Sequence, residues 1–273
     1  MELPLGKPTT YNDQYDNNLL VAVPRSLGRK ELNLQKELPF KGVDFWNCYE
    51  VSWLNTKGKP CARILEIEVP AESECLVESK SLKLYLNSFN GTKFKSDDEA
   101  CNLIQKDLSL TAKAEVKITI STLDAYNNKK ISQFSGQSLD DLDVKILDYN
   151  VNSDLLKLSE NNKKVEETLF SDLLKSNCLI TNQPDWASVQ ITYKGNKIDH
   201  ESLLKYIISF RDHNEFHEQC VEHIFYDIMN KCKPESLSVF AKYTRRGGVD
   251  INPFRTTEDI TDFALHKIRD IRQ

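Results

Sequence analysis

Ten consecutive residues carry the strongest chemical signal in this sequence: Asn177, Cys178, Leu179, Ile180, Thr181, Asn182, Gln183, Pro184, Asp185 and Trp186. A thiol attacks carbon as its thiolate, so a reacting cysteine needs a nearby group to receive its proton. Asp185, pinned behind Pro184 and followed by Trp186, can receive that proton and return it to an adduct. A neighbouring carboxylate charge also disfavours the thiolate. Proton transfer concerted with attack therefore suits this pair better than a pre-formed thiolate. The same residue types equally suit a buried thiol beside a turn aspartate, because free cysteine packs as a small hydrophobe.

A second segment bears on the choice. Residues 78–85 read Glu78-Ser-Lys-Ser-Leu-Lys-Leu-Tyr85, within a strand-like run that continues through Leu86 to Phe89. Further segments are Pro4-Leu-Gly-Lys7, Tyr15-Asp16, Val23-Pro-Arg-Ser-Leu27, Tyr49-Glu-Val-Ser-Trp-Leu-Asn55, His213-Asn-Glu-Phe-His-Glu-Gln-Cys220 and Arg245-Arg-Gly-Gly248. Together with the cysteine segment these resemble the NADPH-dependent 7-cyano-7-deazaguanine reductases, the QueF-type nitrile reductases of queuosine biosynthesis, in their long two-domain form.

That resemblance implies a mechanism and a site. Cys178 attacks the cyano carbon to form a covalent thioimide, Asp185 carries the proton, and two NADPH complete a four-electron reduction to 7-aminomethyl-7-deazaguanine, with no metal. By the same resemblance Glu78 and Glu218 accept from the guanine-like edge of the base, where a carboxylate meets two adjacent N–H donors. His217 assists at the cyano end, and Val77 and Ser79 give backbone contacts. The cofactor falls to Ser79 and Lys80 on one side and Arg246 and Gly247 on the other. Lys83 and Arg245 are further partners for phosphate. The nine glycines contain no GxGxxG or phosphate-loop spacing, so a dinucleotide fingerprint is not the binding device. Without the resemblance, Lys80 and Lys83 would read as outward-facing strand residues, and His213 and His223 as structural or solvent-facing.

Bulk properties bound the class. A chain of 273 residues with a formal charge of −5 can bury a large core and lacks the basic balance of a nucleic-acid surface. No stretch approaches the roughly 20 apolar residues of a membrane helix. The amino terminus is polar, without a signal-peptide pattern. Seven cysteines without a CxxC pair suit reduced thiols and a cytoplasmic location.

The elements that must position these groups fall into two similar halves. Residues 81–89 align with 202–210 at an offset of 121, with five of nine positions identical. Strand patterns cover 62–69, 76–89 and 114–122 in the first half, and 188–193, 203–210 and 237–245 in the second. A hairpin-type break is expected at 194–197. Ser96-Asp-Asp-Glu99 has the form of a capping box, opening a helix that presents Ala100, Leu103, Ile104 and Leu108. Asn214 is the expected N-cap of a helix over 215–231 that buries Phe216, Cys220, Val221, Ile224, Phe225 and Ile228. The polar, acidic stretch at 140–165 marks the boundary between an N-terminal domain, 1–150, and a C-terminal domain, 151–273. The resemblance makes both of them tunnelling-fold (T-fold) domains, α+β units of antiparallel sheet backed by helices and related to GTP cyclohydrolase I. In that fold active sites lie at seams, and a homodimer is expected.

Three other activities use the same residue types. A thiol hydrolase would combine Cys178, His217 and Asp185 and would need no NADPH. A zinc-dependent cyclohydrolase could draw ligands from Cys178, His213, His217 and Cys220. A non-catalytic module would only sequester a deazapurine.

Overall fold

The computed structural model describes residues 11–34, 37–127, 129–161, 163–260 and 269–273. The 4–7 motif and His266 lie outside the described residues. The chain divides into two compact units. One comprises Met1–Glu31, Val43–Lys130 and Arg245–Asp250; the other comprises Leu32–Gly42, Ile131–Thr244 and Ile251–Gln273.

The first unit is built from β1 (Ala22–Pro24), α1 (Ser26–Glu31), β2 (Lys41–Leu54), β3 (Pro60–Pro70), β4 (Cys75–Val77), α2 (Ser79–Asn87), α3 (Asp97–Ala112), β5 (Lys117–Ser121) and α4 (Leu123–Tyr126). Strands β2, β3 and β5 pair antiparallel in the order β5-β3-β2, and β1 pairs antiparallel with β4. Ser96 opens α3 by accepting from the Glu99 N–H. Ala100, Ile104 and Leu108 then recur every four residues and are buried, the period of a helix face laid on a core.

The second unit contains β6 (Gln137–Ser138), β7 (Lys164–Asn177), β8 (Pro184–Asn196), α5 (His200–Ser209), α6 (His217–Cys232), β9 (Ser236–Tyr243) and β10 (Val249–Thr256). Strands β7, β8, β9 and β10 run antiparallel in that order, with β6 parallel on the outer edge of β7. Cys220, Val221, Ile224, Phe225 and Ile228 of α6 are all buried, as their spacing predicts, while Phe216 is half-buried. Glu222 of α6 accepts from both Nε and Nη2 of Arg255 at 3.1 and 2.9 Å. Both side chains are buried, so this pair fixes the helix that carries His217 and Glu218.

Of the segments expected to be strands, 76–89 is strand only through Val77 and helical over Ser79–Asn87, and 203–210 lies within the helix His200–Ser209 up to its last residue. The alternating pattern 82, 84, 86 suggests a strand, but the termini decide otherwise. The Glu78 carboxylate accepts from the N–H groups of Lys80 and Ser81 at 2.9 and 2.7 Å, and Asp199 accepts from Ser202 at 2.8 Å. A satisfied N-terminus lets the helix propagate. Ser81, Leu82, Tyr85 and Leu86 then form one buried face, as do Leu203, Leu204, Tyr206 and Ile207. The expected break at 194–197 is also mostly strand: Lys194, Gly195 and Asn196 stay in β8, paired with Glu166, Val165 and Lys164. Strands β2, β7 and β10 have no counterpart among the strands expected from sequence.

One local pattern occurs in both units. Each long hairpin, β2–β3 and β7–β8, shifts register at one place, between Cys48 and Val51 and between Ser171 and Leu174. The last residue of each leading strand is strapped by a passing segment. Leu54 donates to Thr92 and accepts from Phe94, while Asn177 donates to His213 and accepts from Glu215. Next, Asn55 N–H donates to Lys59, and Cys178 N–H to Gln183. A tyrosine then donates to an aspartate on the following helix, Tyr85 to Asp107 at 2.7 Å and Tyr206 to Asp227 at 2.8 Å. Cys178 thus occupies in its hairpin the place that Asn55 occupies in the other.

Candidate active site

Cys178 is half-buried at the first position after β7. Its backbone is held on three sides. Its N–H donates to Gln183, its carbonyl accepts from Asn182 N–H at 3.0 Å, and Asn214 Nδ2 reaches the same carbonyl at 3.4 Å. Asn182 sits at a φ of 54°, a left-handed conformation that asparagine tolerates, and this lets the loop close over six residues. The hairpin then returns the chain so that Pro184 faces Asn177 and Asp185 faces Ser176. Seven residues of separation in sequence become two rungs of one ladder.

Asp185 is buried, and its Oδ2 lies 3.3 Å from Nε2 of His217. His217 is the first residue of α6, and its ring lies flat against that of Tyr243 on β9. Nδ1 of His217 is buried and makes no hydrogen bond among the described residues, so its bonding capacity is unspent. The carboxylate–imidazole couple can hold and move one proton. Glu218, the next residue, is also buried.

The start of α6 differs from expectation. Asn214 does not cap it, because its amide is spent on the Cys178 loop, including a 2.9 Å bond to Asn182 Oδ1. Phe216 stands at the N-cap instead, and its N–H donates to Gln219 Oε1 at 3.4 Å.

In the first unit Val77 ends β4, paired with Ala22, and Glu78 follows, buried and capping α2. Both Glu78 oxygens accept backbone N–H groups, yet a carboxylate has about four acceptor positions and retains capacity for more. Ser79 and Lys80 open α2, and Lys83 lies one turn beyond Lys80. A strand would have sent Lys80 and Lys83 to opposite faces; a helix puts them on one side. The turn that follows Thr244 comes against the same helix. Gly247 and Gly248 adopt φ of 60° and 79°, and a Cβ on Gly247 would stand 3.3 Å from Lys83 Cδ. Arg245 is exposed, with its guanidinium 4.7 Å from the Tyr49 ring centre. Lys83 and the arginine turn are therefore neighbours. Such a cationic group on glycine backbone suits an anionic phosphate.

Several contributors carry no sequence signal. Tyr243 lies within an ordinary strand pattern, and Gln183 and Asn182 read as turn residues. Asn214 was assigned to a different task.

All seven cysteines are free thiols. Burial pushes the thiols of Cys48, Cys220 and Cys232 upward, which makes them inert packing groups. The paper zinc site of Cys178, His213, His217 and Cys220 does not assemble. Among the described residues the one candidate ligand group is His213, Glu215 and His223. His200 faces Glu167 at 3.1 Å. No helix among the described residues is long and apolar enough to cross a membrane.

Comparison with known families follows this geometry. A family model described as "Nitrile reductase, 7-cyano-7-deazaguanine-reductase N-term" matches residues 11–120, and one described as "QueF-like protein" matches 184–262. The two spans together take in more than half of the chain. They contain Glu78, Asp185, His217, Glu218 and Arg246, while Cys178 stands in the interval between them. A crystal structure described as the archaeosine synthase QueF-Like in the apo form aligns over 35% of this chain and 95% of its own. Its identity is 19% and its TM-score 0.31, too low for the alignment to carry an argument.

Proposed function

The chain belongs to the QueF-type 7-cyano-7-deazaguanine reductases, in their long two-domain form, and we propose that it reduces 7-cyano-7-deazaguanine to 7-aminomethyl-7-deazaguanine through a thioimide on Cys178. Family membership makes it an oxidoreductase, a nitrile reductase of queuosine biosynthesis. The observation that supports the covalent route is the Asp185–His217 couple at 3.3 Å, its carboxylate borne by the hairpin whose loop begins with Cys178.

In this reading the Cys178 sulfur bonds to the nitrile carbon as its proton leaves. One C≡N π bond opens, and the proton passes through Asp185 and His217 to the nitrile nitrogen, giving a neutral thioimide. His217, flat on Tyr243, presents a fixed ring edge to the reacting group. Glu218 and Glu78 accept from the base edge, and Val77 and Ser79 contribute main-chain contacts. Burial of Asp185 and Glu218 keeps water from the intermediate.

The nicotinamide cofactor is assigned to Ser79, Lys80, Arg246 and Gly247, with Lys83 and Arg245 as added phosphate partners. These residues would hold two NADPH in succession, each of which would supply one hydride; with one proton each, the first would convert the thioimide to an imine and release the Cys178 thiol, and the second would give the primary amine. The recurring hairpin, strap and tyrosine–aspartate pattern supports two tunnelling-fold domains, 1–150 and 151–273. A cytoplasmic homodimer without nucleic acid or membrane partners completes the reading.

The deciding experiment is an intact mass after incubation with the nitrile in the absence of NADPH. One added substrate mass is expected, and none in Cys178→Ala. Release of amide or carboxylic acid without NADPH would sink the reductive reading and favour thiol hydrolysis.

A further inference from the structure

One cluster in the second unit is left unused by the nitrile chemistry. His213, Glu215 and His223 each bring one ligand atom to within 4.8 Å of the other two. His213 Nε2 and His223 Nδ1 stand 3.0 and 3.5 Å from the same oxygen, Glu215 Oε2. From these contacts we propose that His213, Glu215 and His223 form a binding site for a divalent transition metal of the zinc class.

Three observations carry the assignment. The first is directional. His213 Nε2 and Glu215 Oε2 are buried at ordinary hydrogen-bond distance, yet neither has a hydrogen-bond partner among the described residues. These atoms and His223 Nδ1 converge on one spot. A cation with bonds of about 2.0–2.2 Å to imidazole nitrogen and carboxylate oxygen holds tetrahedral ligands roughly 3.3 Å apart, and the two measured separations bracket that spacing.

The second observation lies behind the ring. His223 turns its other nitrogen, Nε2, to within 3.5 Å of Asp227 Oδ2, and Asp227 in turn accepts from Tyr206. A carboxylate at the far nitrogen fixes the tautomer of a ligating histidine and raises its basicity. The third is enclosure. Phe210 packs edge-on against both histidine rings, at 5.7 and 5.5 Å, and shields one side of the cluster.

The site takes no step in nitrile reduction. His213 and Glu215 flank Asn214 in the segment that straps Asn177, one residue before Cys178. A metal there ties this segment, through His213 and Glu215, to His223 on α6. Two imidazoles and one carboxylate leave a fourth position for water. The donor set suits zinc and its neighbours better than magnesium or calcium.

The test uses tag-free, full-length protein stripped with chelator and titrated with Co²⁺ under anaerobic conditions. One equivalent is expected, with visible ligand-field bands and no thiolate-to-cobalt charge transfer. His223→Gln and Glu215→Gln should each weaken Co²⁺ binding at least tenfold, and Asp227→Asn by about 10- to 100-fold. Cys178→Ala should bind as the parent does. Zn²⁺ should raise the melting temperature of the parent protein but not of His223→Gln, a half-buried surface change that leaves the metal-free fold intact. Unchanged Co²⁺ affinity in both ligand variants would overturn the proposal. So would a charge-transfer band that vanishes in Cys178→Ala, or a parent chain that takes up no metal.

Discussion

The imidazole of His217 and the phenol of Tyr243 lie parallel, their centroids 3.8 Å apart and their planes inclined by 2°. This stack, with Asp185 at the ring edge, leaves His217 little rotational freedom. Tyr243→Phe keeps the stack and should form the nitrile adduct at a rate close to that of the parent. Tyr243→Leu releases the ring, and adduct formation should slow about tenfold, with a stability loss of about 1–3 kcal/mol for the altered core. Equal adduct rates in the two variants, followed by time-resolved mass measurement, would show that the stack does not orient the histidine.

Asp185 is the nearest acid–base group to His217, so its proton capacity can be removed with little change of shape. Asp185→Asn should slow adduct formation by about 10²–10⁴-fold, the usual scale of general acid–base catalysis. Its far-ultraviolet dichroism should match that of the parent. Undiminished adduct formation would remove Asp185 from the proton path.

The cationic turn gives a cofactor prediction. Replacing Arg246 by alanine should raise KM for NADPH about tenfold, the size of one lost charge-assisted contact, and KM for NADH much less. Gly247→Ala forces a left-handed β-carbon toward Lys83. It should destabilise the protein by about 1 kcal/mol and weaken NADPH in the same direction. Equal effects of Arg246→Ala on the two cofactors would exclude a role at the 2′-phosphate.

A stability prediction follows from Tyr15, whose hydroxyl donates to Asp107 at 2.8 Å. Burial and the Asp107 carboxylate raise its pKa from 10.0 to about 12. The folded state therefore holds the phenol proton more tightly than the unfolded state does. The contribution is full below pH 10 and is lost as pH rises through 12. The stability advantage of the parent over Tyr15→Phe should shrink across that window in denaturant titrations. An advantage that stays constant from pH 9 to 12 would contradict the assignment.

The segment from Cys178 to Asp185 is legible in the sequence because its information is local. Pro184 and Asp185 follow Cys178 closely, and a hairpin is the natural way to close that distance. The helix faces of α3 and α6 were likewise readable from spacings of three and four. The signature segment was recognised correctly but given the wrong element, since Leu82, Leu84 and Leu86 alternate as a strand would. What settles it is a capping contact from Glu78 to the Lys80 and Ser81 N–H groups, a local effect that alternation does not express. Alignment of 81–89 with 202–210 survived this error, because similar segments adopt the same element whichever element it is. Tyr243 was illegible for another reason: it meets His217 only through the pairing of β9 with β8, a contact between residues far apart in the chain.

The straps at Leu54 and Asn177 have a consequence for how reactivity is installed. The main-chain bonds of each strap are made by the last strand residue and not by the one that follows, which is asparagine in one hairpin and cysteine in the other. Asn55 spends its side chain on its own bend, accepting from the Lys57 and Lys59 N–H groups, whereas the bend at 178 is held through the Cys178 backbone. Sulfur at 178 is an occupant of a seat that the polypeptide prepares regardless of who sits there.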